Sequence, residues 1–186
     1  MMSIRAVSLH QFLPRLGLDA LLFNTSEVTP SANLRYLTGF TGSDASILLT
    51  RTERHFFTDG RYQVQAREEV DVFHVHVVRN KLASLSAVIR ASGARRIGIE
   101  PSRVSYEFAT HLTRRIADAQ LVPLKRPFLE NFRVRKSPEE RQKIEAAAVT
   151  ASEACREVLD AGLIGRRERD VAADLEFRSL QKGAYG

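Results

Sequence analysis

Short apolar runs alternate with helix-length amphipathic segments from Leu9 to Leu124, and this alternation restricts the chain to an α/β layer fold with a mixed sheet. Leu9, Phe12, Leu13 and Leu16 recur at helical spacing, and Gly17 ends that segment. Ala20-Leu21-Leu22-Phe23 reads as a buried strand. Ala45 to Thr50 and His55 to Thr58 read as two further strands, joined through the charged turn Arg51 to Arg54. Tyr62, Ala66 and Val70 recur every four residues and predict a helix after Gly60. The β-branched run Val72 to Val78 predicts a strand. Leu82, Leu85 and Ile89 predict a helix closed near Gly93, and Ile97-Gly98-Ile99 a strand stopped by Pro101. Phe108, Leu112 and Ile116 mark one more helix, and Leu121 to Leu124 a last strand flanked by Pro127.

The pattern changes beyond Pro127. Ser137-Pro138-Glu139-Glu140 is a helix start in which Ser137 caps, Pro138 suits the first helical position and Glu140 completes a capping box. Ile144, Ala148, Ala151, Cys155 and Val158 then share one side of that helix, and Gly162 and Gly165 stop it. A second helix carries Val171, Leu175 and Leu180 and ends near Gly183. These helices have apolar stripes and no strand between them. The expected organisation is a first domain over residues 1–128, a linker over 129–136, and the opening helices of an incomplete second domain over 137–186.

Charge and composition narrow the partners. The net charge is +6, but the basic residues are scattered, and there is no tryptophan and no aromatic-basic interleaving, so nucleic acid is not expected as a partner. No apolar run reaches the ~20 residues that cross a bilayer, and no signal peptide is apparent, so neither membrane nor export is expected. The single cysteine, Cys155, cannot form an internal disulfide, which makes the cytoplasm the expected setting.

The densest signal is the stretch Asn33-Leu34-Arg35-Tyr36-Leu37-Thr38-Gly39-Phe40-Thr41-Gly42-Ser43-Asp44, followed by Thr58-Asp59-Gly60-Arg61-Tyr62. Gly39 and Gly42, three apart between apolar runs, mark a bend where a side chain would collide with neighbouring backbone. Asp59-Gly60 marks a tight turn, and Asp59 and Arg61 are placed to pair with each other or to cap the helix that follows. The two motifs, in this order and at this separation, resemble the N-terminal domain of the creatinase and Xaa-Pro aminopeptidase family. The later stretch from Arg133-Val134-Arg135-Lys136-Ser137-Pro138-Glu139-Glu140 to Lys182-Gly183-Ala184-Tyr185-Gly186 resembles the start of that family's pita-bread catalytic domain. Arg167, before Glu168, departs from the threonine that often caps there.

The resemblance implies a creatinase-like N-terminal fold and, for the intact enzyme, hydrolysis of the bond between an N-terminal residue and proline. It implies two divalent metal ions, expected to be manganese, held by aspartates, a histidine and glutamates that lie beyond the part represented here, so no metal ligand and no catalytic residue is assigned to this chain. It also implies a homo-oligomer, expected to be a dimer, whose N-terminal domain supports assembly and places a loop holding Asn33 and Arg35 at the substrate rim of a neighbouring subunit. Arg35 suits a peptide carboxylate or carbonyl. Asn33 is neutral where some relatives carry an acid. Prolidase-like or creatinase-like hydrolysis, and non-catalytic peptide binding on the same fold, are the alternatives.

Other candidate chemistry is sparse. His74 and His76 lie two apart on an expected strand and so face the same side, but a metal needs a third ligand that the spacing does not supply. Cys155 lies on the apolar side of its helix and is expected to be a buried, inert thiol. Ser43 lacks the glycine that a nucleophile elbow needs at position 45, where Ala45 stands. Gly39 and Gly42 do not open a phosphate-binding loop.

Overall fold

A computed structural model describes residues 9–27, 32–116, 118–125 and 128–184. The chain divides into two compact units, one to Arg133 and one from Val134. In the first, a 3-10 turn (His10–Phe12) leads into α1 (Leu13–Leu16), then β1 (Ala20–Thr25), α2 (Ala32–Thr38), β2 (Ala45–Thr50) and β3 (Arg54–Thr58). A 3-10 turn (Gly60–Tyr62) opens α3 (Gln63–Glu69). It is followed by β4 (His74–Val77), α4 (Lys81–Ser92), β5 (Arg96–Ile99), α5 (Tyr106–Arg115), β6 (Gln120–Pro123) and α6 (Phe128–Val134). The second unit holds α7 (Pro138–Asp160) and α8 (Glu168–Gln181).

The six strands form one sheet in the order β4-β3-β2-β1-β5-β6. Strand β2 is antiparallel to β1 and β3, whereas β3–β4, β1–β5 and β5–β6 pair in parallel. Five strands therefore point one way and β2 points back. Alternation along β1 explains why the sheet is covered on both sides. Leu21 and Phe23 join one core with Leu13, Leu34, Leu37, Ala66 and Leu129, from α1, α2, α3 and α6. Ala20 and Leu22 join a second core with Leu85 and Ile89 from α4, Leu112 from α5 and Ile116 just after α5.

Two features differ from the sequence-based expectation. The stretch holding Asn33 and Arg35, expected from the resemblance to be a loop ahead of Tyr36-Leu37-Thr38-Gly39-Phe40, lies within the helix α2. Leu34, Leu37 and Thr38 fall on one face at helical spacing and are buried against the sheet, and that burial overrides the weak helix propensity of Asn33 and Thr38. Second, the stretch 129–136, read as a linker, contains most of α6, whose Leu129 is fully buried in the first core. Pro127, Tyr185 and Gly186 lie outside the described residues.

In the second unit the capping box forms in full. Ser137 Oγ accepts from Glu140 N at 3.2 Å, and Glu140 Oε2 accepts from Ser137 N at 2.9 Å. Ala154 and Val158 are the buried residues of α7, and Cys155, one position round the helix, is exposed. The expectation of a buried thiol is thus corrected: the buried stripe passes through its neighbour. Arg167 precedes α8 without a side-chain cap and instead pairs with Asp170 Oδ2 at 2.7 Å.

Candidate functional site

Because five strands share one direction, their carboxyl ends and the start of β2 lie along a single edge of the sheet. In open α/β sheets that edge is where binding groups collect. Thr58 Oγ1 donates to the Asp44 carbonyl at 2.8 Å, which ties the end of β3 to the start of β2. The two sequence motifs thereby become neighbours.

Gly39 adopts φ +83° and ends α2, with its N–H donating to the Arg35 carbonyl at 2.8 Å. Gly42 is required by contact instead. A Cβ there would sit 2.8 Å from Tyr62 Cδ1 and closer still to the Phe40 ring. Phe40 is buried edge-on against Phe56 and Tyr62, at centroid separations of 4.9 and 5.6 Å. Thr41 donates its N–H and its hydroxyl to the two Glu69 oxygens, both at 2.7 Å, and Ser43 Oγ lies 2.7 Å from Tyr62 OH. Burial raises the Glu69 carboxyl, but the hydrogen bonds from Thr41 and Gln65 outweigh it and hold it below the usual range. The bend between the glycines is therefore clamped onto α3, through Glu69 at its end and Tyr62 just ahead of its start.

Asp59 caps and pairs at once. Its Oδ1 accepts from Arg61 N at 2.8 Å, its Oδ2 receives Arg61 Nη2 at 2.9 Å, and these bonds hold its carboxyl low. Arg61 also reaches Glu27 at 3.1 Å and stands 4.0 Å from Asp44. Its side chain is 60% exposed, so this fan of ion pairs fixes geometry more than it stabilises. Lys81 Nζ, at the start of α4, is paired with Asp44 Oδ1.

Asn33 and Arg35 do not act together. Arg35 faces solvent, and its charge helps to lower the Glu69 carboxyl. Asn33 is 1% exposed, and its amide bridges Glu100 and Arg133. Nδ2 donates to Glu100 Oε1 at 2.7 Å, and Oδ1 accepts from Arg133 Nη1 at 3.1 Å. Tyr36 OH donates to the Phe132 carbonyl at 3.2 Å. Helix α2 thus grips α6, which leads out of the first unit. Glu100, 7% exposed at the end of β5, has Oε2 buried with no hydrogen-bond partner among the described residues. Burial, helped by the Glu130 charge, raises its carboxyl despite Asn33, Arg103 and Arg133. An acid at a strand end was the one sequence signal for Glu100; its hydrogen-bond partner Asn33 lies 67 residues away.

Away from this edge, the parallel register His55↔His74 and Phe57↔His76 adds a third imidazole to the histidine pair. His55 Nδ1 and His76 Nε2 are hydrogen-bonded at 3.1 Å, and His76 stacks on Phe57 at 4.6 Å. Glu53 Oε2 lies 3.3 Å from His55 Nε2. Burial lowers both the His55 and the His76 imidazole, with Glu53 opposing the shift at His55. Among the described residues no three His, Cys, Asp or Glu side chains are placed to hold a metal ion. No described helix is long and apolar enough to cross a membrane.

Residues 5–135 match the Creatinase/Prolidase N-terminal domain. The chain belongs to that family. Within the family's wider set, it is 33% identical over 177 residues to the uncharacterized peptidase YqhT of Bacillus subtilis, an alignment spanning 95% of this chain and 48% of that protein. The crystal structure of the X-Pro aminopeptidase from Thermotoga maritima is similar with a TM-score of 0.84 and 30% identity, over 93% of this chain and 49% of that one. The Xaa-Pro dipeptidase from Bacillus anthracis shares the fold, with a TM-score of 0.89 at 24% identity over 100% of this chain and 51% of that one. The chain spans about half the length of the curated relative it matches.

Proposed function

We propose that this creatinase/prolidase N-terminal unit and its two following helices are the front half of a metal-dependent Xaa-Pro peptidase that cleaves between an N-terminal residue and proline. The observation that carries this reading is the 30% identity to the Thermotoga maritima X-Pro aminopeptidase across nearly the whole chain. The first unit supports assembly of a homodimer, and the exposed Arg35 contributes a cation to the substrate rim. Asn33 acts behind that rim: buried between Glu100 and Arg133, it fixes α2 so that Arg35 points outward. The residues described here do not fit a dinuclear metal site. In this reading the metal ions, manganese by expectation, are bound by residues outside this chain, and no catalytic step is assigned to it.

Two measurements test the proposal. The purified 186-residue chain with manganese leaves a proline-containing tripeptide intact, and cleavage of that tripeptide overturns the division of labour. A longer natural polypeptide carrying this segment releases the residue ahead of proline faster than the residue ahead of alanine in a matched peptide. Equal rates overturn the substrate assignment. Sedimentation of the 186-residue chain as a monomer at every concentration removes the assembly role.

A further inference from the structure

Glu100 is the only buried acid among the described residues. Its contacts constrain its protonation. Arg133 can only donate, so the Asn33 oxygen must face it, and this orientation turns Asn33 Nδ2 to Glu100 Oε1. The guanidinium is thus one amide away from the carboxyl. An ionised carboxyl so close to an arginine ordinarily takes it directly, often through two parallel bonds. Here the amide stands between them, and Glu100 Oε2 is buried with no donor among the described residues. A buried carboxylate with one bare oxygen is costly. A carboxylic acid with its proton on Oε2 still offers Oε1 as the acceptor that Asn33 needs.

The groups around it act in both directions. Burial has the largest effect and favours the neutral acid. From α2 the facing group is the neutral Asn33. From α6, Glu130 opposes ionisation and Arg133 favours it, as does Arg103 in the turn after β5. Lys125, after β6, lines a cavity of about 10 Å³ beside Glu100, together with Ser102 and Glu130. That space holds no more than one water molecule, so the partner for an ionised Glu100 comes from the protein itself. We propose that Glu100 is a proton-operated latch between α2 and α6. With its proton, the acid accepts from Asn33, which holds Arg133, and one chain of hydrogen bonds joins β5, α2 and α6. When the proton passes to solvent, Arg133 leaves the Asn33 oxygen and pairs with the carboxylate, and α2 loses this hold on α6. The latch stands on these contacts alone and is independent of the peptidase reading.

The test follows the 186-residue chain by NMR as pH is raised from about 4 to 8. The Glu100 carboxyl carbon is expected to titrate above the ordinary value of 4.5. The Asn33 side-chain amide and the Arg133 Nε–H resonance are expected to shift with the same midpoint. Glu100→Gln mimics the protonated acid and is expected to hold both reporters constant. Arg133→Gln keeps a donor for Asn33 but offers the carboxylate no cation, so the Glu100 midpoint is expected to rise by about one pH unit or more. This second variant keeps the test decisive where Glu100→Gln fails to fold. A purely structural bridge moves none of these readouts. The proposal is overturned if Glu100 titrates at or below the ordinary value, or if the two reporters stay constant while it titrates. It is equally overturned if they shift as much in Glu100→Gln, or if Arg133→Gln leaves the midpoint unchanged.

Discussion

Substituting Gly42 by alanine tests whether the motif glycine is there for space. The new Cβ falls 2.7 Å from Phe40 Cε1 and 2.8 Å from Tyr62 Cδ1, against the ~3.5–4.0 Å that carbon atoms prefer. Something must move by roughly 1 Å. Phe40 is buried against Phe56 and has no room to retreat, while Tyr62 is held by its hydroxyl contact with Ser43 at 2.7 Å. Overpacking of this kind costs about 1–3 kcal/mol. Loss of the Phe40–Tyr62 edge contact adds about 0.5–1.5 kcal/mol. The expected outcome is a destabilisation of ~2–4 kcal/mol in urea unfolding followed by circular dichroism and tyrosine fluorescence. Gly60→Ala is the matched control. Nothing lies within 4 Å of its added Cβ and its φ is not positive, so that variant is expected to be neutral or up to ~1 kcal/mol more stable. A Gly42→Ala protein within about 0.5 kcal/mol of the parent, or a Gly60→Ala protein that loses as much, would refute the steric argument.

Two further substitutions read the titrating groups. The His55 and His76 imidazoles titrate below their ordinary value, so the neutral forms stabilise the fold above the unfolded value near 6.5, and that contribution is lost as pH falls through the folded values. His76→Phe keeps a ring on Phe57 and is expected to flatten the loss of melting temperature between about pH 7 and pH 5; an unchanged slope would show that the β3–β4 histidines do not carry it. Glu100 is displaced upward, so its contribution is complete below the unfolded value near 4.5 and is lost as pH rises through the folded value. Glu100→Gln is expected to gain in melting temperature relative to the parent as pH is raised from about 4.5 to 7, on top of any pH-independent offset from the amide, and a constant gap across that range contradicts a buried charged Glu100.

Where the physics is local, the sequence was sufficient. The Ser137–Glu140 capping box, the Asp59 turn, the Gly93 helix end and the alternation of strand and helix all depend on residues a few positions apart, and each is formed by those residues. The mixed six-stranded sheet and the family resemblance followed from the same local signals in order. Local spacing misplaced Cys155 by one position on its helix, because which flank of an amphipathic stripe is covered depends on what packs there. The loop that the resemblance implied around Asn33 and Arg35 is a helix instead, because burial of Leu34 and Leu37 under the sheet stabilises it.

The chain order of residues thus determined which elements form and which side chains sit at their ends. Only the tertiary structure decided that the end of β1, the start of β2 and the starts of α4 and α5 meet around Asn24 and Lys81. It alone joined Asn33 to Glu100 and Arg133, and His55 to His76. The reason is the strand order: neighbours in the sheet are chosen by how whole hydrophobic faces are covered, and no spacing within one segment encodes that choice.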